Sequence, residues 1–157
     1  MRVFKKTGLA IAIVLLIIQF FPAAPVLPGG SSRTADITNT VALPGPVLAV
    51  LKRSCYDCHS SETHYPWYTR IQPVGWIMIS HIRKGRDNLD FSSFGNYSKR
   101  KQWNKLRSIA ESIRDSSMPL TSYLWMHPDA RLSSGNARLI SNWVEETRNA
   151  MGAAGRP

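Results

Sequence analysis

Apolar residues run almost without a break from Gly8 to Phe21, then thin out and recur three or four positions apart. Such spacing predicts helices. The first is marked by Val47, Leu48, Leu51 and Cys55, with Pro46 suited to a first helical position. A second starts at Pro73, carries Val74, Ile77, Met78 and His81 on one face, and stops before Gly85 with Arg83 and Lys84 in its last turn. Ser98 caps a third, whose stripe is Trp103, Leu106, Ala110 and Ile113; Ser116 to Pro119 ends it. Ser133 or Ser134 opens the last, with Ala137, Ile140, Trp143, Val144 and Thr147 turned inward. No strand pair is visible. The pattern predicts an all-α domain of about four helices joined by loops.

The apolar start divides the chain. Arg2, Lys5 and Lys6 precede it, a basic flank and apolar core that read as an export segment. Extended through Leu27, the segment approaches the ~20 residues that span a bilayer. No position around Ala23 or Ala24 offers small residues at both −1 and −3, so a retained anchor is favoured over cleavage. The expected organisation is a signal anchor over 1–27, a linker over 28–43, a functional domain over 44–150 and a disordered tail over 151–157. The protein would then cross the inner membrane once with its domain in the periplasm; the alternative is a cleaved, soluble periplasmic protein.

Charge adds a partner. The 157 residues carry a net +10 at pH 7, three of whose basic residues lie in the N-terminal flank. In an exported protein that balance suits an acidic redox partner or an anionic membrane surface, and export argues against nucleic acid.

The chemistry is concentrated in Cys55-Tyr56-Asp57-Cys58-His59, which uses both cysteines of the chain. Cys-x-x-Cys-His is the attachment signature of c-type haem. Two thiols at this spacing add across the two vinyl groups of one porphyrin, and the next residue is placed to ligate the iron. A zinc site needs four ligands at closed spacing, which His64, His81 and His127 do not complete. One covalent haem c is therefore the expected cofactor.

The sixth iron ligand must come from elsewhere, and methionine or histidine is usual. Met118, before Pro119 in a loop, is the first candidate and His81 the alternative, although most loop methionines simply pack against apolar neighbours. Tyr65 and Trp67, in the aromatic run Tyr65-Pro66-Trp67-Tyr68, are candidates to wall the porphyrin. Arg70, with Arg83 and Arg86, is a candidate partner for its carboxylates. The ring N–H of His59 needs an acceptor, for which a carbonyl near Pro66 or Pro73 is available.

The run from Cys55 to Tyr68 resembles the bacterial haem-binding domain family related to c-type cytochromes. Gln72-Pro73-Val74, His81-Ile82, Gly85-Arg86, Met118-Pro119-Leu120, Tyr123 and His127 to Ser133 are similar too, and the likeness spans about residues 44 to 147. It implies covalent haem at Cys55, Cys58 and His59, a small cytochrome-c-like helical domain and a redox role. Electron transfer through a haem with both axial positions filled is the leading expectation, an electron carrier rather than an enzyme. The competing one is a haem-based enzyme or gas sensor with an open or displaceable sixth position.

Overall fold

The computed structural model describes residues 2–25 and 33–153. The ends of the expected anchor and tail, and residues 28–32 of the expected linker, lie outside them. Eight α-helices and four short 3₁₀ turns, and no strand, make up the described residues. The all-α expectation holds. The helices are α1 (Arg2–Ile18), α2 (Ile37–Thr40), α3 (Gly45–Ser54), α4 (Tyr56–His59), α5 (Val74–Asn88), α6 (Lys99–Arg114), α7 (Thr121–Leu124) and α8 (Ser134–Ala153). Four of them, α3, α5, α6 and α8, answer to the four periodic stretches; α2, α4 and α7 are single turns too short to leave a period.

The single-pass anchor is not supported. No helix among the described residues is long and apolar enough to cross a membrane. The helix α1 has 17 residues and includes the basic flank. At 1.5 Å per residue it reaches about 25 Å, short of the ~30 Å hydrocarbon core. It stops because Gln19, Phe20 and Phe21 bond back only three residues, to Leu16, Ile17 and Ile18. The Gln19 side chain is then held by the backbone of Gln72: its amide N–H donates to the Gln72 carbonyl (3.0 Å) and its oxygen accepts from the Gln72 N–H (2.9 Å). Trp76 Nε1 donates to the Phe21 carbonyl at 2.8 Å. The end of the apolar stretch is therefore tied to the start of α5.

One core joins α3, α6 and α8. Val47, Val50 and Leu51 of α3 pack with Leu106 of α6 and with Ile140, Trp143 and Val144 of α8. The expected linker contributes to it: Ile37 of α2 is fully buried, and Trp143 Nε1 donates to the Ala42 carbonyl at 2.9 Å. Ile37 stands among short polar residues, so no periodicity marked it. Residues 151–153, expected in the tail, continue α8.

Two local readings change. Gly85 does not end its helix; α5 runs on to Asn88. The buried face of α5 is Gly75, Ile79 and Ile82, while Val74 and Ile77 are exposed. Gly75 belongs to the packed stripe because only a residue without Cβ fits there: an added Cβ would stand 2.2 Å from the Thr69 carbonyl oxygen. A stripe written in glycine is invisible to a search for apolar side chains.

Candidate functional site

The Cys-x-x-Cys-His run is folded as a corner. Cys55 leaves helical geometry (φ −131°, ψ −36°), closing α3 through its N–H on the Leu51 carbonyl (2.8 Å) and opening α4. The N–H groups of Cys58 and His59 both bond to the Cys55 carbonyl, at 3.2 and 3.0 Å. One turn of helix therefore brings Cys55, Cys58 and His59 to the wall of one cavity. Polar contacts lock the turn from outside. Ser60 Oγ donates to the Tyr56 carbonyl (2.8 Å), Thr63 Oγ1 to the Asp57 carbonyl (2.8 Å), and Tyr56 stacks on Phe91.

The reason for Gly85 lies here. An added Cβ would meet the Cys58 carbonyl oxygen at 2.5 Å, so α5 crosses α4 at backbone contact. Alanine is about 1 kcal/mol the better helix former. Overpacking against a backbone that cannot swing away costs about 1–3 kcal/mol. Gly85→Ala is therefore expected to lower the thermal midpoint despite its helix propensity; an unchanged or higher midpoint would show that α4 can retreat.

His59 Nδ1 lies 2.9 Å from the Leu89 carbonyl. A carbonyl only accepts, so Nδ1 carries the proton and Nε2 keeps its lone pair free. The acceptor comes from just after α5 and not from near Pro66 or Pro73. Burial also lowers the His59 pKa, against the opposing pull of the Leu89 carbonyl. Burial favours the neutral imidazole, and the Leu89 carbonyl fixes its proton on Nδ1, the form that ligates a metal through Nε2. Burial pushes the Cys55 thiol up to about 12 and the Cys58 thiol to about 11.

The cavity has a volume of about 440 Å³, within the roughly 300–1,000 Å³ of pockets that enclose cofactors. Met78 and His81 of α5 and Ile109 of α6 line it, with Met118 and Leu120 from the following loop. The structure thus brings both candidate sixth ligands, Met118 and His81, to the same cavity as His59. Met118 is 38% exposed. Tyr65, Trp67 and Arg70 are not brought there: Trp67 and Arg70 are exposed, and none of the three lines the cavity. Their 3₁₀ turn (Trp67–Arg70) packs instead on α5, where the Thr69 carbonyl meets Gly75. The cations on the cavity wall are Lys84 and Lys105, the latter 3.1 Å from the Asn88 side-chain oxygen.

The family of haem-binding domains matches residues 13–146. The chain belongs to the haem-binding domain family. No curated protein and no solved structure matches it. Membership brings a haem cofactor, and the cavity fits one: an apolar slot, a neutral imidazole with a free Nε2, two thiols beside it and two lysines for the carboxylates. No cluster of three or more His, Cys, Asp or Glu that could hold a metal ion occurs among the described residues.

Sequence reasoning missed Met78, Lys84 and Lys105, which follow from α5 and α6 bordering the cavity. It also missed a polar arrangement behind α4. Asp57 accepts from the Tyr123 hydroxyl (2.6 Å) and from the His64 N–H (3.0 Å). Tyr123 stacks on His127, centroids 4.3 Å apart, and His127 Nε2 is hydrogen-bonded to the Tyr68 hydroxyl. The second variable position of Cys-x-x-Cys-His thus fastens α4 to α7. Only the carboxylate at Asp57 signalled it, and sequence gives no partner for a lone carboxylate.

Burial raises the pKa of Tyr56, as do the charges of Asp36 and Glu62. Burial also raises that of Tyr123, with the hydrogen bond to Asp57 adding to it. A folded pKa above the unfolded value of about 10 makes these hydroxyls stabilising below pH 10. That stability is lost as pH climbs toward the folded values, because only the unfolded chain ionises there. An alkaline titration should show part of the phenolate absorbance appearing together with the loss of helical circular dichroism. If all 5 tyrosines ionise near pH 10 with the helices intact, the assignment of these burial effects fails.

Proposed function

We propose that this haem-binding domain carries one covalent haem of the c type, attached at Cys55 and Cys58 with His59 as one axial ligand, and that it transfers electrons. The observation that carries the reading is the pairing of His59 Nδ1–H with the Leu89 carbonyl beside two thiols on one cavity wall. When bound, the iron porphyrin supplies a one-electron couple. The chain's part is to hold and insulate it. The corner at Cys55 sets the two thiols one helical turn apart. Leu89 fixes the imidazole plane and its tautomer. Phe91, Ile109 and Leu120 keep water from the apolar wall. Lys84 and Lys105 offer counter-charges to carboxylates at the rim. Met118 is the proposed sixth ligand, and His81 of α5 the alternative. An acidic protein is the proposed redox partner, given the net +10.

A second reading has an observation in its favour. Met118 is 38% exposed, as a sixth ligand that yields to an incoming gas or substrate would be. Visible spectra of the purified, haem-loaded protein in both oxidation states, with and without carbon monoxide, decide between them. An electron carrier gives a reduced spectrum that carbon monoxide barely changes. Ready binding by the wild type removes the simple carrier and supports the second reading. Absence of haem from protein produced with haem-attachment machinery removes both.

A further inference from the structure

On the far side of α6 from the haem cavity runs a second hollow of about 530 Å³, formed between α6 and α8. Its wall carries three arginines, Arg114, Arg138 and Arg148, against one acid, Glu145. Arg148 is held in a fixed pose: its guanidinium carbon lies 3.9 Å from the centroid of the Trp103 ring. A cation over an indole face is attracted by the ring quadrupole, which holds the guanidinium at the groove wall. Its Nε–H is buried and has no hydrogen-bond partner. With its Nε side buried, Arg148 can turn only the remaining part of its guanidinium toward the groove. Neither Arg114 nor Arg138 is in an ion pair among the described residues. Asp115, beside Arg114, accepts from the Ser117 N–H at 3.0 Å, and the Arg114 charge also acts on its carboxylate, so the two arginines of α8 carry the argument.

We propose that this groove is the docking site for an acidic segment of a partner protein, its carboxylates received by Arg138 and Arg148. Charge decides the occupant, since three guanidinium groups face one carboxylate in the groove. Arginine also matches carboxylates with two parallel bonds. The position adds a function. Ile113 lines both the groove and the haem cavity, so a docked segment sits one helix from the cofactor. That the partner exchanges electrons rests on the carrier reading given above; that the groove binds acidic chains does not.

The test uses the full, haem-loaded chain and a short fluorescent Glu-rich peptide, followed by anisotropy at low salt, with inorganic phosphate as a competitor. The peptide is expected to bind and to be released by salt, and phosphate to compete poorly. Arg138→Gln and Arg148→Gln should each weaken binding about tenfold, as loss of a charge-assisted bond does. Arg138 is exposed, so its variant is a safe guard against misfolding, and Arg148→Lys should recover only part of the affinity. Arg53→Gln, on the exposed side of α3, should leave binding unchanged. The proposal is overturned if the peptide does not bind, if Arg53→Gln weakens it as much, or if phosphate competes as strongly as the peptide. Haem content, measured on the same samples by acid–organic extraction, tests the carrier reading separately.

Discussion

Serine in place of both Cys55 and Cys58 is expected to give a protein that surrenders all its haem to acid–organic extraction, where the wild type keeps it. A serine hydroxyl does not add to a vinyl group as a thiol does, so no thioether would form and His59 alone would have to hold the cofactor. The loss should reach the fold. Without haem, the apolar wall of a cavity of about 440 Å³ would lose its contacts with the porphyrin and face water, so the thermal midpoint should fall well below that of the loaded protein. Each single variant keeps one thioether and should retain haem with lower yield. Should the double variant hold haem through extraction as the wild type does, covalent attachment at these cysteines is wrong.

The physics that made parts of this molecule legible in its sequence also explains what stayed hidden. Long helices with apolar stripes announce themselves, and α6 and α8 do so through Leu106, Ile140, Trp143 and Val144, all buried. The haem-binding family was legible in the Cys-x-x-Cys-His run and the motifs around it. What failed was structure that leaves no period. The single turn α2 buries Ile37 amid polar neighbours, and α7 brings Tyr123 to Asp57 across 66 positions of chain. The aromatic run misled for a related reason. An aromatic cluster says that a surface is apolar, not which side of the chain faces the cofactor; Trp67 is 71% exposed. Gly85 misled differently, because glycine serves both as a helix stop and as a site of close backbone approach. Deciding between those uses needs the partner, here the Cys58 carbonyl, and the partner is a tertiary fact. The apolar N-terminal stretch was long enough as composition but not as helix, since Gln19 turns away to bond the backbone of Gln72.

Met118→Ala is expected to open the sixth iron position, lower the reduction potential and let the reduced protein bind carbon monoxide readily. A thioether is a soft ligand that favours the reduced state, so its loss shifts the couple downward. The variant should fold, because Met118 is 38% exposed and lies in a loop outside the core. His81→Ala tests the alternative at the same cavity. If Met118 is the ligand, the His81 variant should keep the wild-type spectrum and change only solvent access. Met78, one turn before His81 on α5 and also on the wall, supplies the necessary control, since Met78→Ala removes a thioether without touching the loop. Loss of the six-coordinate spectrum in the His81 variant but not the Met118 variant would move the ligand to α5. The same loss in Met78→Ala would show that thioether identity was read correctly and its position was not. Carbon monoxide binding is the sharper readout, because a filled sixth position resists it and an open one does not, whatever the variant does to stability.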